Sequence, residues 1–495
     1  MLCVPIRNVN KCFEMDDKTT LSIQKQTYIY MASNFFKIVM SIVVTAILSR
    51  ILNSYDYGIV AIISVFSVFF ITISDVGISP AIVQIKDLCD DDLNNIFSFS
   101  VYLAFVSCFA FIVLSIPISR IYHDSILIPA CSLLSVSVLF GILNMVPSGI
   151  VNRNKKFLFL AKRNVVVYLI ASILAIALAI NGFGVFSIVF QSVSAAVLTF
   201  FVDYIVTRPK FRIRVNFSCL KKIADFSVFQ FFFNLICYAS RNLDDLLTGK
   251  FISTSQLGNY NKAYTLMLYP VENLVGVFSP VIHPLLSDFQ NDRQVIYNKY
   301  IKISRLLFLV GSVVSTICFC CSYEIVTIIC GDKWFDAATC FKILSIAIMP
   351  QMLNSCVGAV FQSIGNTKLL FFNSCINVSV STLLILVAVF GFKSIFVLSG
   401  MIAIIYFFHY LISHYMLMKY GFDQKFHDYL LSQYKEILIF ILLFGIGQFI
   451  NFDIDNLFVS LLSKLVTVIV VFLAVFIVFG EWKFVKELIY KKAEK

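Results

Sequence analysis

Arg241-Asn-Leu-Asp-Asp-Leu-Leu-Thr-Gly-Lys250-Phe-Ile-Ser-Thr-Ser-Gln-Leu-Gly258 sets one Arg, two Asp and one Lys at the end of a Phe-rich apolar run. In a bilayer each of those charges is costly. The stretch echoes Leu48-Ser-Arg50-Ile-Leu-Asn-Ser-Tyr-Asp-Tyr-Gly58, with Lys250 and Gly258 matching Arg50 and Gly58 at an offset of 200 residues. The same offset lays Ser279-Pro280 on Ser79-Pro80 and Ile282 on Ile82. Two halves with the same punctuation predict a duplicated membrane protein.

Composition agrees. The chain has 495 residues, 59% hydrophobic and 14% charged, against roughly 25% charged in an average soluble domain. No soluble core hides that much apolar sequence, which points to a polytopic membrane protein. The net charge of +11 is spread over short loops between apolar runs, a topology signal and not a nucleic-acid-binding face. The fourteen cysteines lie mostly inside apolar segments. Cys318, Cys320 and Cys321 lack the spacing and His partners of a zinc site and read as packing residues. Residues 1–27 mix charges with no sustained apolar core, so they read as a cytosolic leader and not as a cleavable signal peptide.

A window of about 19 residues finds fourteen apolar segments, which predict fourteen transmembrane helices. Segments 1 to 6 span 28–206, segments 7 to 12 span 223–418, and two more span 434–480. The linkers 207–222 and 419–433 and the tail 481–495 are basic or polar. With the N-terminus inside, the even-numbered loops and both tails collect most of the Lys and Arg, led by Arg153-Asn-Lys155-Lys156 and the six bases of 208–222. That bias predicts both termini in the cytosol. Six segments separate the two copies, an even number, so they share one orientation. Parallel repeats of this kind predict two six-helix lobes around a cavity, with segments 13 and 14 as an added pair.

Charges inside the segments are functional candidates because each costs several kcal/mol unless paired or hydrated. They are Lys37, Asp75, Arg241, Asp244, Asp245, Glu272 and Lys464, with Arg50 and Lys250 at segment ends. Ser33, Lys37, Ser41 and Thr45 form a polar stripe, where Lys37 either meets an anionic substrate or pairs with Asp75 or Glu272. Arg50 and Lys250 read either as snorkelling anchors or, since they recur, as a lobe-to-lobe gate or phosphate contact. Asp244 and Asp245 either neutralise Arg241 and Lys250 or form a cation or proton site. Glu272, just after Pro270, sits at an expected kink or break, as a coupling or hinge element or as a partner to a cation. His409 and His414, five apart, read as structural. Asp90-Asp91-Asp92 suits a helix N-terminus better than a metal-bound sugar nucleotide. Gly182-Phe-Gly184 is a tight turn, and P-loop, H-E-x-x-H and G-x-S-x-G motifs are absent from the sequence. No enzyme, metal or cofactor signature emerges.

Ile47-Leu-Ser-Arg-Ile-Leu52 with Asp56-Tyr-Gly58, Ser74-Asp-Val-Gly77, Ile82-Val-Gln84 and Asn181-Gly-Phe-Gly-Val185 resemble polysaccharide exporters of the Wzx and colanic-acid type. So do Asn242-Leu-Asp244, Gly249-Lys-Phe251, Leu257-Gly-Asn-Tyr-Asn-Lys-Ala-Tyr264, Pro270 and Pro284-Leu-Leu-Ser287. The resemblance covers roughly residues 28–418 and implies an all-α, MATE-like transporter of the multidrug/oligosaccharidyl-lipid/polysaccharide superfamily. It further implies a flippase of the bacterial inner membrane, moving oligosaccharide repeat units on undecaprenyl pyrophosphate by alternating access. The product would be O-antigen, capsule or exopolysaccharide, and the polymerase and chain-length machinery are the implied partners beside membrane lipid. The other readings are a cation-coupled small-molecule exporter of the same architecture and a polytopic envelope enzyme.

Overall fold

The computed structural model describes residues 23–74, 78–85, 88–214, 241–287, 292–450 and 454–482, with positions 235, 238, 452 and 486. Asp75, most of the leader and the tail, and much of the linker 207–222 lie outside the described residues. Everything described is helix, turn or loop, and no strand occurs among the described residues.

The first lobe comprises α1 (Ile23–Ile51), α2 (Ser54–Ser74), α3 (Ile78–Gln84), α4 (Asp90–Tyr122), α5 (Leu127–Leu143), α6 (Met145–Arg153), α7 (Phe157–Ile180) and α8 (Val185–Thr207). The second begins with α9 (241–251), α10 (Thr254–Ser287), α11 (Arg293–Cys320) and α12 (Ser322–Cys330). It continues through α13 (Phe335–Ser345), α14 (Ile348–Ser355), α15 (Val357–Ser363), α16 (Thr367–Leu386) and α17 (Ile395–Met416). The added pair comprises α18 (Phe426–Ser432), α19 (Tyr434–Gly447) and α20 (Leu457–Val478).

Among the described residues, ten helices are long and apolar enough to cross a membrane, and twelve if each of two bent pairs counts as one span. The bent pairs are residues 332–345 with 348–363, at 56°, and 426–432 with 434–447, at 59°. α10 covers segment 8, whereas segment 7 lies outside the described residues except for positions 235 and 238 and its end in α9. α10 carries too many polar residues to pass on hydropathy alone, for a reason found in its packing.

Helix ends follow local chemistry. Asp90, Asp91 and Asp92 occupy the first turn of α4, where carboxylates favour the positive end of the helix dipole. The Cys89 amide donates to Asp92 Oδ2 at 3.3 Å. Asp292 Oδ1 accepts from the amides of Gln294 and Val295 at 3.1 Å and starts α11. Between α7 and α8 the chain needs φ of +80° at position 182 and +53° at 184, and glycine supplies both.

Pro270 does not break its helix. α10 runs unbroken from Thr254 to Ser287, because losing one internal rung is tolerated where neighbouring helices hold the rest. Next to it, Asn273 Nδ2 donates to Tyr269 O at 2.7 Å.

Several charges inside the bundle are paired. Arg163 reaches Asp203 between α7 and α8. Arg305 of α11 donates to Glu436 at 2.5 Å and to Glu481 at 2.8 Å. Lys464 of α20 donates to Glu324 of α12 at 2.5 Å, and Ser460 joins the same oxygen at 2.7 Å. Arg305 of α11, facing Glu436 and Glu481, and Glu324 of α12, facing Lys464, hold the added pair against the second lobe at two points. Lys464, an intramembrane charge in the sequence, is thereby a structural clasp. In contrast, Phe105, Val106 and Phe109 on α4 are exposed at 60–69% and form the kind of apolar face that lipid covers.

Candidate functional site: a gate where the two lobes cross

α2 and α10, equivalent helices 200 residues apart, pack against each other. A Cβ added to Gly58 would collide with Thr254 O, and one added to Gly258 would collide with Ser54 O. Ser54 and Thr254 are themselves 200 apart, so the crossing is reciprocal. Only glycine lets two backbones come this close. Two repeats related by an axis through this point would make such a contact.

Around the crossing, each lobe caps carbonyls of the other. Arg50 Nη2 donates to Ile328 O of α12 at 2.9 Å, and Lys250 Nζ donates to Ile121 O of α4. The two bases are repeat equivalents, and each spans to the opposite lobe. Trp334 Nε1 donates to Ser49 O at 3.0 Å, and Tyr122 OH donates to Leu246 O at 3.0 Å. Of the two readings the sequence left open for Arg50 and Lys250, the geometry is that of lobe-to-lobe contacts.

One turn past Gly258 stands Lys262, 5% exposed. Its Nζ lies 3.6 Å from the Tyr57 ring centroid and 5.3 Å from that of Trp334. The two rings meet edge to face at 5.3 Å, a geometry favourable for aromatics.

Asp244 is buried at 5% exposure. Its Oδ2 accepts from Tyr260 OH at 2.5 Å, while Oδ1 has no hydrogen-bond partner. Asp245 accepts from Asn261 Nδ2 at 3.2 Å. Among the described residues neither carboxylate is within ion-pair range of Arg241 or Lys250, so the ion pairs of the neutralisation reading, one of the two left open by the sequence, are not formed there. The reason is direction: Lys250 turns toward α4, and the carboxylates turn toward the amphipathic face of α10. That face explains the polarity of α10.

Farther along, Ser41 Oγ lies 3.2 Å from Tyr269 OH and links α1 to α10. A turn beyond that contact, Lys37 on α1 and Glu272 on α10 are both exposed. Lys37 Nζ lies 5.8 Å from the Tyr168 ring centroid. The pairing of Lys37 with Glu272 weighed from sequence is not formed among the described residues, and its pairing with Asp75 lies outside them. Arg241 is likewise exposed. The lobes are therefore in close contact at the Gly58–Gly258 end, and on the other side of that contact Lys37, Arg241 and Glu272 form no ion pair among the described residues.

His409 and His414 serve the interior of the second lobe. His409 Nε2 lies 2.9 Å from Ser381 Oγ, and His414 Nε2 lies 2.8 Å from Tyr300 OH. Among the described residues no group of three or more His, Cys, Asp or Glu is arranged to hold a metal ion.

Sequence reading overlooked Lys262, Trp334, Tyr57 and Tyr122. Only Lys262 carried a signal, a cation one turn from the repeated glycine on the same helix face. The aromatic positions could not be identified, because their partners lie in the opposite half of the chain.

A family model described as "Polysaccharide biosynthesis protein" matches residues 47–339. Among curated relatives, the chain is 23% identical to the lipopolysaccharide biosynthesis protein WzxC of Escherichia coli (strain K12), over 66% of this chain and 65% of that one. It is 24% identical to the teichuronic acid biosynthesis protein TuaB of Bacillus subtilis (strain 168), over 62% and 64% respectively. A membrane protein in the cps region of Klebsiella pneumoniae is 22% identical over 66% and 68%. The matches thus span about two thirds of these relatives' lengths. Among solved structures, lipid II flippase MurJ in an inward closed conformation superposes with a TM-score of 0.69 at 14% identity, covering 93% of this chain and 100% of that one. An inward-facing multidrug MATE transporter superposes at 0.57 and 14% identity, covering 82% and 98%. At these identities the superpositions establish the fold alone, an all-helical, MATE-like one.

Proposed function

The chain belongs to the polysaccharide biosynthesis protein family, and from that membership we propose that it is a flippase for lipid-linked oligosaccharide repeat units. It would carry them on undecaprenyl pyrophosphate across the bacterial inner membrane for surface polysaccharide synthesis. The observation that carries this reading is the reciprocal Gly58–Gly258 seal between equivalent helices, with Lys37, Arg241 and Glu272 exposed beyond it. A sealed end and an unsealed end are one state of an alternating-access cycle, and an intramembrane cation suits an anionic diphosphate headgroup.

In this reading residues 28–206 and 223–418 are the two lobes, helices 434–480 move with the second, and both termini lie in the cytosol. The seal then faces outward and the exposed charges face the cytosolic side, where the lipid-linked unit is assembled. Lys37 and Arg241 attract the diphosphate, while Arg50 and Lys250 close the outer end behind it. Asp244 and Asp245 are candidates for coupling the cycle to a proton or cation, supported by the buried, unpartnered Asp244 Oδ1.

The test is complementation of a strain lacking its own flippase, scored as surface glycan and as lipid-linked intermediate. Restored glycan with cleared intermediate is expected. Membrane insertion with no glycan and continued accumulation would exclude the reading.

A further inference from the structure

The buried cations elsewhere in the bundle sit against carboxylates: Arg163 against Asp203, Arg305 against Glu436 and Glu481, Lys464 against Glu324. Lys262 differs. It is more deeply buried than Arg163 or Arg305 and comparable with Lys464, yet among the described residues no carboxylate lies within ion-pair range of its Nζ. Its Nζ sits against two π faces, Tyr57 from the first lobe and Trp334 from the second, with Cys330 also nearby. Trp334 is in turn tied to the first lobe through Ser49 O.

A desolvated cation–π contact is worth less than the cost of withdrawing an ammonium from water, even after relaxation. The cage therefore compensates Lys262 only in part. The cage also exists only while the lobes are together, because its two walls belong to different lobes. A ligand shifts a two-state equilibrium by its differential affinity for the two states. A phosphate-type anion gains most from the state in which Lys262 has left the rings.

Resting on the flippase reading, we propose that Lys262 is an anion-operated latch of the gate. It is caged by Tyr57 and Trp334 when the seal is shut, and it is transferred to the diphosphate group of the cargo as the lobes part. The site takes a diphosphate monoester or diester through one charge-assisted contact.

The chain holds two tryptophans, so Trp482→Phe leaves Trp334 as the reporter of its own cage. Full-length Trp482→Phe protein in phosphatidylcholine nanodiscs is titrated with inorganic pyrophosphate while Trp334 emission is followed. A saturable change is expected, kept by Lys262→Arg and shifted to ~10-fold or more higher pyrophosphate by Lys262→Met. An unchanged midpoint in a monodisperse Lys262→Met protein overturns the latch. If Lys262→Met does not fold, Tyr57→Leu serves instead, since losing one wall must lower the pyrophosphate midpoint; an unchanged or higher midpoint overturns the latch. A response produced by phosphatidylglycerol without pyrophosphate identifies bilayer phosphate as the source and overturns the cargo assignment. Flux of lipid-linked substrate in proteoliposomes is measured in parallel. Lost flux with an intact anion response counts against the flippase reading alone, and intact flux with no anion response counts against the latch alone.

Discussion

A Cβ on Gly258 would sit 3.0 Å from the amide nitrogen of Gly58, the residue 200 positions earlier in the chain. Two lobes of one polypeptide thus touch backbone to backbone at equivalent points. α2 and α10 pack closely on either side of this point, and side chains reaching from each lobe to the other reinforce the contact.

Gly58→Ala and Gly258→Ala should each hold the seal apart. Overpacking against a backbone carbonyl costs about 1–3 kcal/mol, which disfavours the closed state by about 5- to 150-fold. Surface glycan should fall sharply in both, with normal membrane insertion. Gly358→Ala, where a Cβ meets nothing within 4 Å, is the matched control. Full glycan in both gate variants would remove the crossing from the transport cycle.

Arg50→Ala and Lys250→Ala each delete one donor to the opposite lobe, worth roughly 1 kcal/mol as a hydrogen bond from a charged group that is partly solvated. Each alone should lower glycan modestly, and the pair should lower it by more than either. Lys37→Ala should abolish glycan while inserting normally, because it removes an intramembrane cation from the unsealed side. Wild-type glycan in Lys37→Ala and Lys250→Ala would exclude a cationic route for the substrate.

Lys464→Met leaves the Glu324 carboxylate buried with only Ser460 as partner. Breaking one side of a buried pair costs about 3–5 kcal/mol, so the thermal midpoint in detergent should drop clearly. The double variant Lys464→Met with Glu324→Leu should recover most of the loss. A double variant as unstable as the single would show that the clasp acts through something other than uncompensated charge.

Asp244→Asn keeps an acceptor for Tyr260 but removes the titratable group. If Asp244 couples transport, flux in proteoliposomes responds to an imposed pH or sodium gradient in the wild type and not in the variant. Wild-type flux indifferent to both gradients would remove Asp244, Asp245 and Glu272 from any coupling role.

Much of this was legible before any coordinates. Apolar runs of bilayer length predict where helices lie, since a chain in hydrocarbon must satisfy its backbone within each span. The glycines at 58 and 258 marked themselves by recurrence. Segment boundaries were softer: segment 9 extends through α12, and segment 10 is two helices bent at 56°, because bends inside an apolar run leave no trace in hydropathy. Of the kink or break expected at Pro270, the break does not occur, as neighbouring helices can keep a proline-containing helix continuous through its missing rung.

The partners of charged residues were the least legible part. Helical spacing brings Asp244 and Asp245 near Arg241 and Lys250 in sequence. Whether they pair depends on side-chain directions set by α4, far away in the chain, and by α10, the next helix. The Lys262 cage joins positions 57, 262 and 334 from three separate stretches. The amino-acid sequence by itself determined the helices, the duplication and the shared orientation of its halves, because these follow from local hydropathy and from parity. The tertiary structure alone decided that Gly58 meets Gly258, that Arg50 and Lys250 cross to opposite lobes, and that Lys262 rests on aromatic faces instead of a carboxylate. Those are long-range contacts, and their energies exist only once the two lobes pack.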